Sequence, residues 1–288
     1  MKREPITDDT TKLVADAAAA LAKKFGKGTI AVLGDPGSYP EIRQVMPTGI
    51  DAFDEIIGVG GIPLAGKLVE LYGPEASGKT TIAKFFLAQA QRHAGLISAY
   101  LDTEQSGVAK YDEQLGVQKG KSLLSEPTTL QESFEQMEAI IQHICATKAL
   151  GLILFDSVAA TPTQSELDRG YDENAPPGER ARFLAVALKK LMGQVRGTNI
   201  GIVFVNQERE RIGAMPYQEQ TYSPGGRAFR HWCHVRLRIH RVAWMKDKDQ
   251  QHSGIVSEIK VVKNKLAPPN KAVKVKIEWA TGKISKAE

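Results

Sequence analysis

The stretch Gly73-Pro74-Glu75-Ala76-Ser77-Gly78-Lys79-Thr80 matches the phosphate-binding pattern G-x-x-x-x-G-K-[ST] at every fixed position. Its two glycines permit the tight turn that directs backbone N–H groups at phosphate oxygens. Lys79 can reach the β- and γ-phosphates, and the Thr80 hydroxyl is a ligand for Mg²⁺. Residues 67–72 before it have the pattern of a buried strand, and residues 81–93 after it that of a helix. An anion site at a helix N-terminus requires this order, so the stretch predicts a nucleoside triphosphate site.

The bulk composition is that of a globular protein. Of the 288 residues, 42% are hydrophobic and 25% are charged, which suits one large α/β domain with a small appendage. The two cysteines, Cys145 and Cys233, indicate a reducing compartment rather than a disulfide framework. The N-terminus has no apolar signal region, and no apolar run is long enough to cross a bilayer. These features predict a cytoplasmic protein without a membrane partner.

Basic charge is concentrated towards the C-terminus. Residues 227–288 contain 15 Lys and Arg against 5 Asp and Glu, whereas residues 1–226 contain 23 against 28. A basic segment of this kind favours a polyanionic partner, most often nucleic acid. A solvated basic surface would have the same composition, so charge alone leaves both interpretations open.

The first 40 residues are predicted to form a separate N-terminal segment. Residues 11–25 are alanine-rich and have one apolar stripe, which predicts a helix capped by Asp9 or Thr10. Residues 29–33 predict a short strand, and the loop 35–40 predicts a boundary. An isolated helix and strand need a surface to dock on. That surface is either the chain's own core or a neighbouring subunit.

From residue 41 onward, strand and helix patterns alternate. The apolar runs lie at 67–72, 96–101, 150–155 and 200–205. The helical patterns lie at 80–93, 107–115, 129–147 and 179–196. Repeated β-α-β units predict an α/β fold with a mostly parallel sheet covered on both faces. After residue 230, apolar and polar residues alternate in 235–242, 255–262 and 271–277, which predicts antiparallel strands with one solvated face.

Three of the predicted parallel strands end in polar side chains. Asp156 ends one of them, where it would hold Mg²⁺ together with Thr80. Glu104 follows another and is the candidate for orienting a water molecule in line with the γ-phosphate. Asn206 and Gln207 end a third, where an amide could sense the γ-phosphate and pass the change to the loop that follows.

Taken together, the motifs resemble those of the RecA recombinases of bacteria and phages. The matching segments are Lys24–Gly28, Pro47–Asp51, Gly73–Thr80, Asp102–Glu104, Phe155–Ala160, Asn206-Gln207, Ser223–Gly226 and Val261–Lys265. The resemblance covers residues 10–282 and implies a RecA-like P-loop ATPase core, residues 41–288, preceded by an N-terminal helix and strand that dock on the adjacent protomer. It also implies an ATP- and Mg²⁺-dependent, DNA-dependent ATPase that forms a filament on single-stranded DNA and exchanges strands with homologous double-stranded DNA.

The resemblance also implies roles for individual residues. ATP is contacted by Gly73, Pro74, Glu75, Ala76, Ser77, Gly78, Lys79, Thr80, Thr81, Tyr111 and Asp156, with Thr80 and Asp156 also serving Mg²⁺. Hydrolysis involves Glu104, Lys79, Gln207, Lys263 and Lys265. Tyr111 stacks on adenine, and Gln207 couples the γ-phosphate to DNA binding. The two C-terminal lysines reach across a subunit interface to the neighbour's ATP, where cations supplied in trans stabilise charge on the transferring phosphoryl group.

Two segments, about 166–178 and 208–226, resemble the mobile DNA-binding loops of the family. Arginines beside Ile212, Met215 and Tyr217 suit single-stranded DNA, because guanidinium groups bind phosphates and apolar side chains wedge between bases. The DNA-binding residues implied are Arg182, Arg209, Arg211, Gly225, Gly226, Arg227 and Arg230. A flexible solvated loop would explain the composition, although not the glycine pair beside these arginines.

The sequence departs from the family pattern at several points. The first loop is acidic, and the second carries Glu208 and Glu210, which predicts modest or strongly salt-dependent DNA affinity. Val108 stands where the family usually has an aspartate near adenine, so base selectivity is left open. The sequence ends near residue 288 without the smaller C-terminal domain typical of the family. A compact phage-type recombinase and a truncated chain would both have this length.

A metal site is a weaker interpretation of the cluster His231-Trp232-Cys233-His234. Spacings this tight rarely let three side chains converge on one ion, and the segment leads into an alternating strand. A packed element at the sheet edge is therefore favoured.

Three functions fit the sequence to different degrees. The leading hypothesis is the ATP-dependent recombinase. A ring-forming motor such as a helicase-like ATPase would use the same fold, but it would lack the N-terminal docking element and the Val-Lys-Asn-Lys signature. A non-catalytic mediator would bind ATP and DNA without exchanging strands, and Glu104 and the intact phosphate-binding motifs argue against it.

Overall fold

The computed structural model describes residues 8–26, 30–35, 44–170, 173, 176, 178–211, 215 and 221–287. The chain divides into two compact units, Met1–Arg43 and Gln44–Glu288.

The first unit contains helix α1, Asp8–Phe25. The helix begins before the two predicted capping residues, so Asp9 and Thr10 lie within it. Its apolar stripe is exposed, with 69% of Leu13 and 57% of Phe25 accessible to solvent. The predicted strand at 29–33 was wrong over the described residues Ile30–Leu33, which lead into a turn closed by the Asp35 N–H on the Val32 carbonyl. A strand needs a paired neighbour, and the described part of this unit offers only a helix and a turn.

The second unit is built around a nine-stranded sheet with the strand order β13-β12-β11-β10-β3-β7-β6-β4-β5. Its parallel strands are β3 (Lys67–Gly73), β4 (Leu96–Asp102), β5 (Leu123–Ser125), β6 (Leu150–Asp156) and β7 (Ile200–Gln207). The other strands are β10 (Val235–Lys246), β11 (His252–Asn264), β12 (Ala272–Glu278) and β13 (Ile284–Lys286). Since β10 runs parallel to β3 and the last three strands follow as antiparallel neighbours, the predicted antiparallel extension is present.

Two short ribbons lie outside this sheet. They are β1 (Val45–Met46) with β2 (Ile62–Pro63), and β8 (Arg209–Glu210) with β9 (Thr221–Tyr222). The second ribbon closes the base of the predicted loop 208–226.

Helices cover both faces of the sheet. They are α2 (Asp51–Ile57), α3 (Lys79–Arg92), α4 (Ala109–Gln114), α5 (Leu130–Thr147), α6 (Gln164–Asp168), α7 (Glu179–Val195) and α8 (Gly226–Trp232). One apolar core joins α2 and α3 to the face that carries Val69 and Leu71, and a second joins α5 and α7 to the face that carries Leu68. Successive side chains of β3 point to opposite faces of the sheet, so this strand contributes apolar residues to both cores. A sheet that is buried on both sides requires this.

The strand register determines which residues meet at the carboxyl edge of the sheet. Gly73 at the end of β3 pairs with Gln207 on β7, and Asp102 at the end of β4 pairs with Asp156 on β6. In open α/β sheets, ligands bind outside the carboxyl ends of the strands. The register therefore brings the predicted polar residues to the edge where a ligand site is expected.

His234 connects the start of β10 to β3. Its backbone N–H donates to the Leu68 carbonyl at 2.8 Å, and its ring Nδ1 accepts from the Leu68 N–H at 3.2 Å. The pKa of His234 is lowered to about 4, mainly because the ring is buried and also because Lys67, Lys265 and Lys263 place positive charge near it. The folded chain therefore requires the neutral ring as an acceptor.

This requirement predicts an acid-sensitive contribution to stability. In the unfolded chain His234 takes up a proton below its ordinary pKa of 6.5, whereas the folded chain resists protonation down to about 4. The stabilisation is therefore complete above pH 6.5 and is lost as the pH falls towards 4. In His234→Asn the amide oxygen can still accept the Leu68 N–H, and the group does not titrate. Between pH 7 and 5 we expect the Tm of the wild type to fall about 2–4 °C more than that of the variant. Parallel Tm profiles in thermal melts would contradict this role.

Candidate functional site

The phosphate-binding stretch links β3 to the N-terminus of α3, as predicted. A Cβ at Gly73 would lie 1.8 Å from the Ile239 carbonyl oxygen, and a Cβ at Gly78 would lie 2.6 Å from Ile277 Cδ1. Gly78 also has φ +90°, a conformation that favours glycine. Both fixed glycines of the pattern are therefore required by the packing of the antiparallel strands against the loop.

Hydrogen bonds hold the loop in a compact turn. The Ser77 hydroxyl and the Lys79 ammonium both donate to the Pro74 carbonyl, at 2.8 and 2.6 Å. From the sheet, the Ser257 hydroxyl donates to the Ser77 carbonyl at 2.8 Å. Burial lowers the pKa of Lys79, while the carboxylates of Asp156 and Glu104 act in the opposite direction. A buried cation at the start of a helix creates a site that favours an anion.

A cavity of about 370 Å³ lies at this edge of the sheet. It is lined by Glu75, Ala76, Ser77, Gly78, Lys79, Thr80, Thr81, Glu104, Asp156, Ser157, Val205 and Gln207. Residues from four separate segments of the sequence, each predicted from its own strand end, therefore share one cavity. A volume of this size suits a small-molecule ligand.

Asp156 is the buried carboxylate of the cavity. Its pKa is raised to about 6, mainly by burial and also by the charges of Glu104 and Asp102, while the hydroxyls of Thr80 and Tyr100 oppose the shift. Tyr100 donates to Oδ2 at 3.3 Å, and Oδ1 has no hydrogen-bond partner within the part of the chain that the structure describes. A buried oxygen without a partner is costly, and a hard divalent cation would satisfy it. Asp156 and Thr80 supply the oxygen ligands that such a cation prefers.

Glu104 is exposed at the rim, and its carboxylate accepts a hydrogen bond from the Ser157 hydroxyl. Ser157 is itself buried, and its backbone N–H donates to the Thr103 hydroxyl at 2.9 Å. Sequence reasoning did not identify Ser157 as a site residue. Its position directly after Asp156 was the available signal, but no spacing rule links it to Glu104.

Gln207 lines the cavity at the end of β7, and its neighbour Asn206 faces the opposite side of the strand. The Asn206 amide donates to Glu70 at 3.0 Å and to the Pro224 carbonyl at 2.8 Å. Pro224 belongs to the far end of the loop 208–226. The dipeptide thus touches the cavity with one residue and the end of that loop with the other.

Tyr111 lies on α4 at the margin of the cavity. Its hydroxyl is 3.3 Å from the Thr81 hydroxyl, although the residue does not line the cavity itself. Val108, the residue before α4, is 60% exposed. The stacking role predicted for Tyr111 stays a prediction, as does the effect of Val108 on base selectivity.

Lys263 and Lys265 do not line the cavity of their own chain. The Lys263 ammonium donates to the carbonyls of Arg230 and His231, and the Lys265 ammonium donates to the His231 carbonyl at 2.9 Å. These carbonyls belong to the last turn of α8, where cations are favourable. The pair lies together, outside the cavity that the loop and Asp156 form.

The two predicted DNA-binding segments meet where α7 and α8 begin. A Cβ at Gly226 would lie 3.1 Å from Ala181 Cβ, and one at Gly225 would lie 3.3 Å from Leu184 on the same helix. Arg182 and Arg227 are exposed close to these contacts. Arg209 and Arg211 are also exposed, whereas Arg230 is partly buried. The glycine pair therefore serves close helix packing as well as the turn.

Much of the two loops lies outside the described residues. This applies to 171, 172, 174, 175 and 177 in the first loop and to 212–214 and 216–220 in the second, including Ile212 and Tyr217. Met215 is described and 55% exposed. The base contacts predicted for the apolar side chains stay predictions.

Glu208 is not the exposed, unpaired loop carboxylate that the sequence suggested. Its side chain is 3% exposed and forms an ion pair with Arg238 at 2.9 Å. In the first loop, Glu166 is likewise paired with Arg180 at 2.9 Å. Because Arg238 and Arg180 neutralise these carboxylates, they contribute less repulsion to DNA than a sequence count implies. Glu210 remains exposed.

Among the described residues, no three His, Cys, Asp or Glu side chains form a group that could hold a metal ion. Cys233 is fully buried, and His234 bonds to Leu68. The segment 231–234 is thus packed, but its predicted place at the sheet edge was wrong, since it leads into β10, which lies between β3 and β11. In the part of the chain that the structure describes, no helix is long and apolar enough to cross a membrane.

Comparison with known proteins identifies the family. The sequence model of a protein family, the RecA N-terminal domain, matches residues 12–284 of this chain. The chain belongs to the RecA family. It is 40% identical to protein RecA of Chlorobium chlorochromatii over 266 residues, which cover 92% of this chain and 72% of that protein. It is 39% identical to protein RecA of Bartonella quintana over 278 residues, covering 96% and 77%.

A third relative, protein RecA of Chloroherpeton thalassium, is 38% identical over 281 residues, which cover 98% of this chain and 76% of that protein. The resemblance inferred from the motifs is thereby confirmed. As a member of this family, the chain is a DNA-dependent ATPase and a recombinase of recombination and DNA repair.

The bond between Ser157 and Glu104 generates a prediction about turnover. Without its hydroxyl, Ser157→Ala leaves the carboxylate free to rotate away from the water that it would orient. We expect ATP turnover without DNA to fall about tenfold, part of the 10²–10⁴ that a positioned base supplies, with nucleotide affinity unchanged. Ser165→Ala is the matched control, since Ser165 also bonds a glutamate, Glu179, but lies outside the cavity. Equal turnover in the two variants would refute the role of Ser157.

Proposed function

We propose that this chain binds ATP and Mg²⁺ in the described cavity, assembles as a helical filament on single-stranded DNA, pairs that DNA with homologous duplex and exchanges strands. The main support for the proposal is that the phosphate-binding loop, Glu104, Asp156 and Gln207 line one cavity. This cavity is lined both by the phosphate-binding loop and by Gln207, from which the chain runs directly into the loop 208–226. A nucleotide in this cavity is in contact with the base of a candidate DNA-binding segment.

In the proposed site, the loop amides and Lys79 hold the phosphates, and Tyr111 contacts the adenine. Thr80 and Asp156 hold Mg²⁺, which when bound offsets negative charge on the β- and γ-phosphates. The unpartnered Oδ1 of Asp156 supports this assignment. Glu104 orients the attacking water, and Ser157 holds Glu104 in place.

Hydrolysis in this scheme needs a second protomer. Lys263 and Lys265 lie on the carbonyls at the end of α8 in their own chain, and the cavity holds one lysine, Lys79, among its lining residues. Cations from a neighbour would stabilise the charge of the transferring phosphoryl group, so turnover would depend on assembly. The exposed apolar stripe of α1 is the surface proposed to dock on the adjacent protomer.

For DNA binding we propose the exposed arginines Arg182, Arg209, Arg211 and Arg227, together with Arg230 and the glycine pair Gly225-Gly226. The N-terminal ends of α7 and α8 lie side by side, so the two loops can serve one DNA path. The basic charge of residues 227–288 supports a polyanionic partner, either the single strand or the incoming duplex. Gln207 couples the presence of the γ-phosphate to DNA binding along this path.

The experiment that tests the proposal combines two assays. ATP turnover should rise when single-stranded DNA is added, and the protein should form joint molecules between circular single-stranded DNA and homologous linear duplex. ATP turnover without joint molecules would overturn strand exchange and favour a motor. DNA and ATP binding without turnover would favour a mediator.

A complementation experiment tests the trans role of Lys265. Lys265→Ala should lower turnover by about 10²–10³-fold while binding a fluorescent ATP analogue normally. Lys79→Ala should also be inactive, since its own cavity is damaged, but it still carries both C-terminal lysines. In a mixture, the lysines of Lys79→Ala protomers can complete the cavities of Lys265→Ala protomers. We therefore expect the mixture to hydrolyse ATP faster than either variant alone.

Lys260→Ala is the matched control, because Lys260 is an exposed lysine on β11, the strand that ends one residue before Lys265. It should retain wild-type turnover. A mixture no more active than its components would argue that Lys265 acts within its own chain or not at all.

A further inference from the structure

Glu208 is anchored on two sides. It directly follows Gln207, and its backbone N–H donates to the carbonyl of Gly73, the first glycine of the phosphate-binding loop, at 2.9 Å. Its carboxylate is buried, lies 2.9 Å from the Arg238 guanidinium, and accepts a hydrogen bond from the Thr221 hydroxyl. One residue thus bonds the nucleotide loop through its backbone and two other elements through its side chain.

These two elements are the sheet and the base of the DNA loop. Arg238 lies in the middle of the sheet extension, where it pairs in register with Tyr72 on β3 and with Lys260 on β11. Thr221 begins β9 and pairs with Glu210 on β8, at the point where the loop 208–226 closes. The carboxylate therefore fastens the closing ribbon of the loop to a strand that is held by neighbours on both sides.

The burial of the carboxylate makes this anchor selective, whereas the Arg238 side chain is 38% exposed. A carboxylate that is 3% exposed and loses its cation would be left as an uncompensated buried charge, which is strongly unfavourable. A cavity of about 410 Å³, lined among others by Tyr72, Glu208, Thr221 and Arg238, lies beside the pair and gives the carboxylate room to rearrange. Positions of the ribbon that keep the buried charge paired are therefore favoured over positions that separate it from Arg238.

We propose that Glu208 is a positioning residue that couples the state of Gln207 to the DNA-binding loop, with Arg238 as the fixed point and Thr221 as the moving contact. Any displacement of the Gln207–Glu208 backbone by a γ-phosphate reaches the loop base through this carboxylate. The inference rests on the proposed function, because it needs a nucleotide-dependent DNA site. It adds the physical connection between the two sites.

The test compares Glu208→Gln with Glu210→Gln. Both substitutions remove one negative charge from the same segment, but Glu210 is exposed on the ribbon. The affinity for a fluorescein-labelled oligo-dT is measured by anisotropy with ATPγS and with ADP. We expect the wild type and Glu210→Gln to bind about tenfold more tightly with ATPγS, a typical coupling between sites. In Glu208→Gln the ratio should fall below about threefold, while ATP turnover without DNA stays near that of the wild type.

The ratio separates coupling from simple damage. A structural role alone would weaken DNA binding equally with both nucleotides, and an unchanged ratio in Glu208→Gln would overturn the inference while leaving the proposed function intact. A wild type without nucleotide-dependent DNA affinity would overturn the proposed function, and the inference with it.

Thermal melts show whether Glu208→Gln folds. If it does not, Thr221→Val takes its place, because it removes one hydroxyl from the carboxylate and leaves the ion pair intact. Its ATPγS-to-ADP ratio should also fall, by less than expected for Glu208→Gln. A ratio equal to that of the wild type would overturn the inference.

Discussion

Parallel pairing in register is the constraint on which the site depends. Backbone hydrogen bonding between β3 and β7 places Gly73 beside Gln207, and pairing between β4 and β6 places Asp102 beside Asp156. Parallel strands all present their carboxyl ends at one edge of the sheet. Strand pairing alone therefore brings residues that are far apart in sequence to one cavity. A slip of one residue in any of these strands would turn its terminal side chain to the other face of the sheet.

The same edge connects the nucleotide site to the candidate DNA path. Asn206 bonds Pro224, Glu208 bonds Thr221, and the loop then leads into α8 through the glycine pair. The last turn of α8 carries the carbonyls that hold the C-terminal lysines. In the proposed filament, α8 therefore begins at the DNA loop and ends beside Lys263 and Lys265, the two lysines that would bind a neighbour's ATP. One short helix joins the two events that a recombinase must coordinate.

The sequence predicted the parallel core well because its strands are continuous apolar runs and its motifs sit at their ends. It did not predict β5 or the helices α2, α6 and α8, since segments this short show no clear period. The strand predicted at 29–33 is absent from residues 30–33, which have no paired neighbour among the described residues. The role of Glu208 was misjudged because Arg238 lies on another strand, and local composition contains no information on such a partner. The contact between Ser157 and Glu104 was missed for the same reason.

In the proposed filament, the nucleotide site is completed by a neighbouring protomer and connected to DNA. An electron cryomicroscopy structure of the chain with single-stranded DNA and ATPγS would test this arrangement. We expect a helical filament in which Lys263 and Lys265 have left the carbonyls of α8 and lie against the phosphates of the adjacent protomer's nucleotide. A closed ring, or a filament in which both lysines remain on α8, would contradict it.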